Sequence, residues 1–119
     1  MRLALLSLVV FAVTGATLGG GPGCIAAITT SATGTVLSGQ VVTFTDGSSI
    51  SPLTRFVSRT WSFGDGSVEK STNPNVLTVN HVYVNDSGRE KDLTVRLIER
   101  TELSTCTTTT QLQVSAETL

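Results

Sequence analysis

From about residue 24 to residue 115 the chain runs in short apolar alternations separated by turn residues, and this period of two predicts strands rather than helices. Cys24 to Thr30 reads as a first strand, continued by Thr35-Val36-Leu37 after Gly34, and Ser38-Gly39-Gln40 is a turn. Val42 and Phe44 share one face of the next strand, which stops at Asp46-Gly47-Ser48-Ser49. A loop through Ser51-Pro52 leads into a strand from Arg55 to Phe63, with Val57, Trp61 and Phe63 on one face. Gly64-Asp65-Gly66 is a tight turn, because glycine takes positive φ without steric cost and Asp tolerates it.

Residues 67–75 read as a polar loop. Leu77, Val79, His81 and Tyr83 alternate in a further strand, and Asn85-Asp86-Ser87-Gly88 is a second turn. Leu93, Val95 and Leu97 alternate with Thr94, Arg96 and Ile98. Arg100 to Ser104 is a hairpin loop, and the last strand runs from Thr105 to Ser115 with Cys106, Leu112 and Val114 on one parity. Residues 116–119 are left as a tail. About seven strands in a segment of this length fit an all-β, immunoglobulin-like β-sandwich.

Residues 1–23 depart from this pattern. Met1-Arg2 is a short positive start, Leu3 to Val13 is an apolar run broken only by Ser7, and small residues follow. This is the layout of a secretory signal peptide, too short for a membrane span, with cleavage expected after Ala16. A lipoprotein leader cut before Cys24 is the competing reading, but Gly21-Pro22-Gly23 lacks the aliphatic residue such leaders carry three places before the cysteine. A retained N-terminal anchor or packing arm is a further alternative. The expected location is secreted or at an extracellular surface, with no membrane span in the mature chain.

The 119 residues suffice for one domain. Eight basic residues stand against nine acidic ones, and the basic residues do not cluster along the chain. Nucleic acid and anionic membranes are therefore not expected partners.

The most specific stretch is Trp61-Ser62-Phe63-Gly64-Asp65-Gly66-Ser67. It resembles the W-D-F-G-D-G-S signature of PKD domains. His81-Val82-Tyr83, then Asp86-Ser87-Gly88, then Leu93-Thr94-Val95-Arg96-Leu97 resemble the elements that follow it in that family, and Val42-Thr43-Phe44-Thr45-Asp46 resembles its second strand. The resemblance spans about residues 24–115. Ser62 stands where the family has Asp, Leu93 where an aromatic is common, and Arg89 to Asp92 looks like an insertion. On physical grounds the motif is first a folding device: Trp61 and Phe63 fill the space between two sheets, and Gly64-Asp65-Gly66 reverses the chain.

No catalytic constellation stands out, and the chain is expected not to be an enzyme. His81, the single histidine, lies on the parity of Val79 and Tyr83 and reads as a partly buried, hydrogen-bonded side chain. One histidine and two distant cysteines do not make a zinc site. Asp46, Asp65 and Asp86 sit in expected turns, where aspartates cap their own backbone; calcium would need several converging oxygens and no repeated Asp spacing supplies them. No cofactor or metal is expected. Asn85-Asp86-Ser87 is an N-glycosylation acceptor sequence in an expected exposed turn.

The resemblance implies a non-catalytic extracellular structural or binding module that contacts proteins or polysaccharides. The alternative is a decoration or minor structural subunit of a virion or cell-envelope assembly. Contacts are expected on the loops at 47–55, 67–75 and 84–92 or on an edge strand. A sandwich of this type also runs its first strand beside its last, which places Cys24 and Cys106 at one end and implies a disulfide between them in an oxidising compartment. Two free thiols, a bridge to another chain and a lipidated Cys24 are the alternatives.

Overall fold

The computed structural model describes residues 23–119, so the expected leader lies, apart from Gly23, outside the described residues. Ten strands follow in chain order: β1 Cys24–Ile25, β2 Ile28–Thr30, β3 Val36–Ser38, β4 Val41–Asp46, β5 Ser49–Ile50, β6 Phe56–Ser62, β7 Val68–Ser71, β8 Thr78–Val82, β9 Lys91–Thr101 and β10 Thr105–Thr118. They form a five-stranded sheet in the order β3-β10-β9-β6-β7, a three-stranded sheet β2-β4-β8, and a two-stranded ribbon β1-β5. All pairs are antiparallel except β3 with β10, which is parallel.

The inward residues of the larger sheets alternate as a half-buried strand requires. Val42 and Phe44 of β4 and Val79 of β8 meet Trp61 of β6, Val95 and Leu97 of β9, and Leu112 and Val114 of β10 in one core. Phe44 lies 5.8 Å from both Trp61 and Phe63, centroid to centroid. Trp61 is almost fully buried, and its indole N–H has no partner among the described residues. A second, small cluster of Cys24, Ala26 and Cys106 closes one end of the molecule.

Several expectations are corrected. The single first strand is divided: β1 pairs with β5, β2 pairs with β4, and β3 crosses to the other sheet to run beside β10. The strand beside the last one is thus β3, with Val36 opposite Val114, and not the segment that opens with Cys24. The expected loop 67–75 contains β7, an edge strand whose four residues are mostly exposed and so carry no alternation to read. The loop expected at 47–55 contains β5. β9 continues to Thr101, into the expected hairpin loop, and β10 continues to Thr118, through most of the expected tail.

Val57 is a further correction. It was expected on the face of Trp61 and Phe63, yet it is exposed. The register of β6 against β9 shifts by one residue between Phe56 and Ser58, and this bulge turns Val57 away from the interior. The interior partner of Trp61 two residues upstream is instead Arg59, which is 2% exposed.

Candidate functional site

The turn after β6 is built by four interactions. Gly64 and Gly66 adopt φ of 90° and 94°, in the region that favours glycine. Asp65 accepts a hydrogen bond from the Ser67 amide at 3.0 Å through Oδ1, and the Phe63 amide donates to the Ser67 carbonyl at 3.0 Å. Oδ2 of Asp65 meets Nε2 of His81 at 2.7 Å. Tyr83 donates its hydroxyl to the Phe63 carbonyl at 2.8 Å in the interior.

These contacts bring the motif residues together around one aromatic stack. The His81 ring lies flat on Phe63, with centroids 4.1 Å apart and planes 2° apart, and Tyr83 meets His81 edge-on at 4.6 Å. Burial works to raise the Asp65 carboxyl, but the hydrogen bonds from His81 and the Ser67 amide outweigh it and hold Asp65 below the ordinary carboxylate range. Burial, and then the Asp65 charge, push the Tyr83 phenol up, so it stays a donor. The Asp65 carboxylate, the His81 Nε2 and the Tyr83 hydroxyl thereby hold the β6–β7 turn against β8.

A half-open cleft of roughly 320 Å³ lies beside this stack, lined by Asp65, His81, Tyr83, Asn85, Lys91 and Leu93 among others. Asn85 was expected in an exposed turn, but it is only 3% exposed. Its Nδ2 donates to the carbonyls of Arg89 at 2.8 Å and Val114 at 2.9 Å, while Oδ1 accepts from the Ser87 amide and hydroxyl. The side chain thus clamps the 84–90 turn onto β10, and the acceptor sequence is a structural element.

A second charged group was not anticipated. Arg59 of β6 reaches across the interior to Asp46 of β4 and Glu99 of β9, all three buried. Its Nε and Nη2 each lie 3.2 Å from a Glu99 oxygen, and Nε also donates to Asp46. Nη1 donates to the Val76 carbonyl and reaches that of Asn73 at 3.5 Å, which docks the segment before β8 onto the core. Phe56 lies under the guanidinium, 4.8 Å from its ring centroid. Burial, and next the hydrogen bond and charge of Asp46, push Glu99 up to about 8 against the pull of Arg59. Burial opposes ionisation of Asp46 too, but hydrogen bonds from Glu99, Ser48 and Arg59 keep it below the ordinary value. Glu99 is thus the protonated member near neutral pH and Asp46 the ionised one. The sequence carried one signal for this group: Asp46, Arg59 and Glu99 share strand parity with Phe44, Trp61 and Leu97 respectively.

Cys24 and Cys106 are joined by a disulfide with Cα atoms 6.0 Å apart, linking β1 to the start of β10. Asp46 is in the buried triad and Asp65 in the motif turn, and no group of three or more His, Cys, Asp or Glu residues that could hold a metal ion occurs among the described residues. No helix among them is long and apolar enough to cross a membrane.

A family profile for the PKD domain matches residues 26–114. The chain belongs to the PKD domain family. The match covers most of the chain, takes in the Trp61–Ser67 turn, His81 and Tyr83, and agrees with the all-β architecture. PKD domains are generally non-catalytic adhesion or structural modules, typically extracellular, that mediate protein or carbohydrate contacts. The disulfide fits an oxidising compartment. No curated protein matches the chain.

Proposed function

We propose that this PKD domain is a secreted, non-catalytic contact module that docks on protein or polysaccharide surfaces through its loops and a free sheet edge. The observation that carries the reading is the engagement of the motif chemistry. Asp65 and His81 bind each other, Tyr83 binds the Phe63 carbonyl, and the ring of His81 is packed on Phe63. A general base works on a nucleophile within hydrogen-bond reach, and among the described residues the one side chain hydrogen-bonded to His81 is Asp65, which also caps the turn. What the fold offers to a partner is backbone and exposed apolar surface instead.

Immobilised folded protein incubated with the native extracellular fraction should retain a specific protein or polysaccharide, released by free protein in competition. Turnover of ester, peptide or glycosidic substrates that is lost on His81→Ala or Asp65→Asn with the fold intact would refute the reading.

A role as a structural subunit of a virion or cell-envelope array is a second reading, favoured by one feature. Strand β8 lies at the edge of its sheet and carries no lysine, arginine or carboxylate. Exposed edges of this kind serve as templates for strand addition.

A further inference from the structure

We propose that β8 pairs antiparallel with β8 of a second copy of this chain, joining two three-stranded sheets into one continuous sheet across a two-fold axis at Asn80. The inference rests on the reading of the domain as a contact module and names one of its partners.

The geometry of β8 sets which groups are free. The Asp46 amide donates to the Leu77 carbonyl and the Gly39 amide to the Tyr83 carbonyl, just outside the two ends of β8, so by the register with β4 the odd-numbered residues Val79 and His81 direct their backbone toward β4. In an antiparallel ladder successive residues direct their N–H and C=O to opposite sides. The backbone groups of Thr78, Asn80 and Val82 therefore point away from β4, at an edge with no further strand among the described residues. The Asn80 side chain is already engaged with Thr43, whose hydroxyl donates to it at 2.7 Å.

This set is self-complementary. The free positions are symmetric about Asn80, so a two-fold axis there pairs Asn80 with Asn80 and Thr78 with Val82 in both directions. About six backbone hydrogen bonds form in that register. It also brings Val84 of one copy, 74% exposed, to the end of β8 where Val76 and Leu77 of the other copy are exposed. No like charges meet: β8 has none, and His81 faces inward onto Phe63.

The other edges are less suited. β7 presents Glu69 and Lys70, charges that guard an edge, and β2 and β3 have three residues each. Val41, cross-strand neighbour of Val82, is also exposed and adds apolar surface beside the seam.

A five-residue seam falls short of the roughly 1,200–2,000 Å² of a standard stable interface. The dimer is accordingly weak, with half-association expected between roughly 10 μM and 1 mM, and gains weight where copies are held close together. Sedimentation equilibrium over that concentration range should show monomer passing to dimer. Hydrogen exchange of the Thr78, Asn80 and Val82 amides should slow as concentration rises.

Val82→Lys places a charge at the seam and should shift association at least about ten-fold to higher concentration, whereas Val68→Lys on β7 should leave it unchanged. Asn80→Pro, which removes one edge N–H and is tolerated at such positions, should act like Val82→Lys. Thermal melts of each variant at low concentration confirm that the monomer is folded. A protein that stays monomeric to 1 mM, or a dimer that neither Val82→Lys nor Asn80→Pro weakens, overturns the inference. A strict monomer that still retains extracellular material rejects the β8 pairing and leaves the contact-module reading intact. A β8-dependent dimer that retains nothing supports the pairing and weakens that reading.

Discussion

Glu99 faces Arg59 in the interior with Oε2 3.2 Å from Nη2, yet burial beside Asp46 pushes this carboxyl up to about 8. The Arg59 charge alone does not offset both desolvation and a neighbouring carboxylate, so the group holds a proton that the unfolded chain has released.

A pH dependence follows from that proton. Glu99 has a folded value near 8 against an ordinary 4.5, so its contribution to stability is full below pH 4.5 and is lost as pH rises to about 8. Asp46 is held below 3.8, so its contribution is present above that value and is lost as pH falls. Urea unfolding should therefore give a maximum near pH 4–5 and a decline toward pH 8, on the order of a few kcal/mol. Glu99→Gln should flatten that decline, since it keeps a neutral donor toward Asp46. Wild-type stability rising from pH 5 to pH 8 would contradict the assignment.

Gly64 and Gly66 share a positive φ but not a setting. A Cβ on Gly64 would lie 2.7 Å from the Thr94 carbonyl oxygen and 3.1 Å from Leu93 Cβ, whereas one on Gly66 meets nothing within 4 Å. Gly66→Ala should cost only the conformational penalty, about 1–2 kcal/mol. Gly64→Ala must also displace the β9 backbone and should cost clearly more, in paired denaturant titrations. Equal losses would mean that the approach of the turn to β9 carries no weight.

Trp61→Ala should cost roughly 3–5 kcal/mol, the range for truncating a large buried aromatic. The wild-type protein should emit at the short wavelength of a sheltered indole and shift to the red on unfolding. Native emission at the wavelength of water-exposed tryptophan would be inconsistent with its place between the sheets.

Asn85→Ala removes the donor to both the Arg89 and Val114 carbonyls, and should cost about 1–3 kcal/mol. A glycan on the same nitrogen would break the clamp. In a host that glycosylates secreted chains, intact mass of the folded, secreted fraction should show Asn85 unmodified. A folded species carrying a glycan at that position, with an unchanged melting temperature, would show the clamp to be dispensable.

The framework was legible where alternation and turn chemistry agreed. Phe44, Trp61, Val95 and Leu112 each stood on an apolar parity, and Gly64-Asp65-Gly66 announced its turn. His81 was readable as a partly buried, bonded side chain, although its partner Asp65 was expected only to cap its own turn. Three features escaped for physical reasons. The bulge at Val57 reverses strand parity without any glycine or proline to mark it. β7 is an edge strand exposed on both faces and has no pattern. The Asp46–Arg59–Glu99 triad joins residues from three strands in two sheets, a proximity that sequence spacing does not encode.

The Cys24–Cys106 disulfide spans 82 positions, and in the chain-entropy view a closed loop of that size stabilises by about 4.5 kcal/mol. Reduction should lower the melting temperature steeply, and intact mass without reductant should show no alkylatable thiol. Two free thiols in the folded protein would exclude the bridge.

The same bond makes the domain a short tether under load. A pull applied between Cys24 and Thr118 passes through the sulfurs, bypassing β2 to β9 and loading only the 12 residues after Cys106, which are already extended in β10. At about 3.3 Å per residue that segment already spans roughly 40 Å as strand β10, so the oxidised chain has almost no length to release, whereas the reduced chain can reach roughly 330 Å. Within that segment the parallel contact of Val114 with Val36 is loaded in shear. A single-molecule extension trace would distinguish the two forms by length alone, so the thiol state of one pair decides whether the module acts as a stiff link or a long shock absorber.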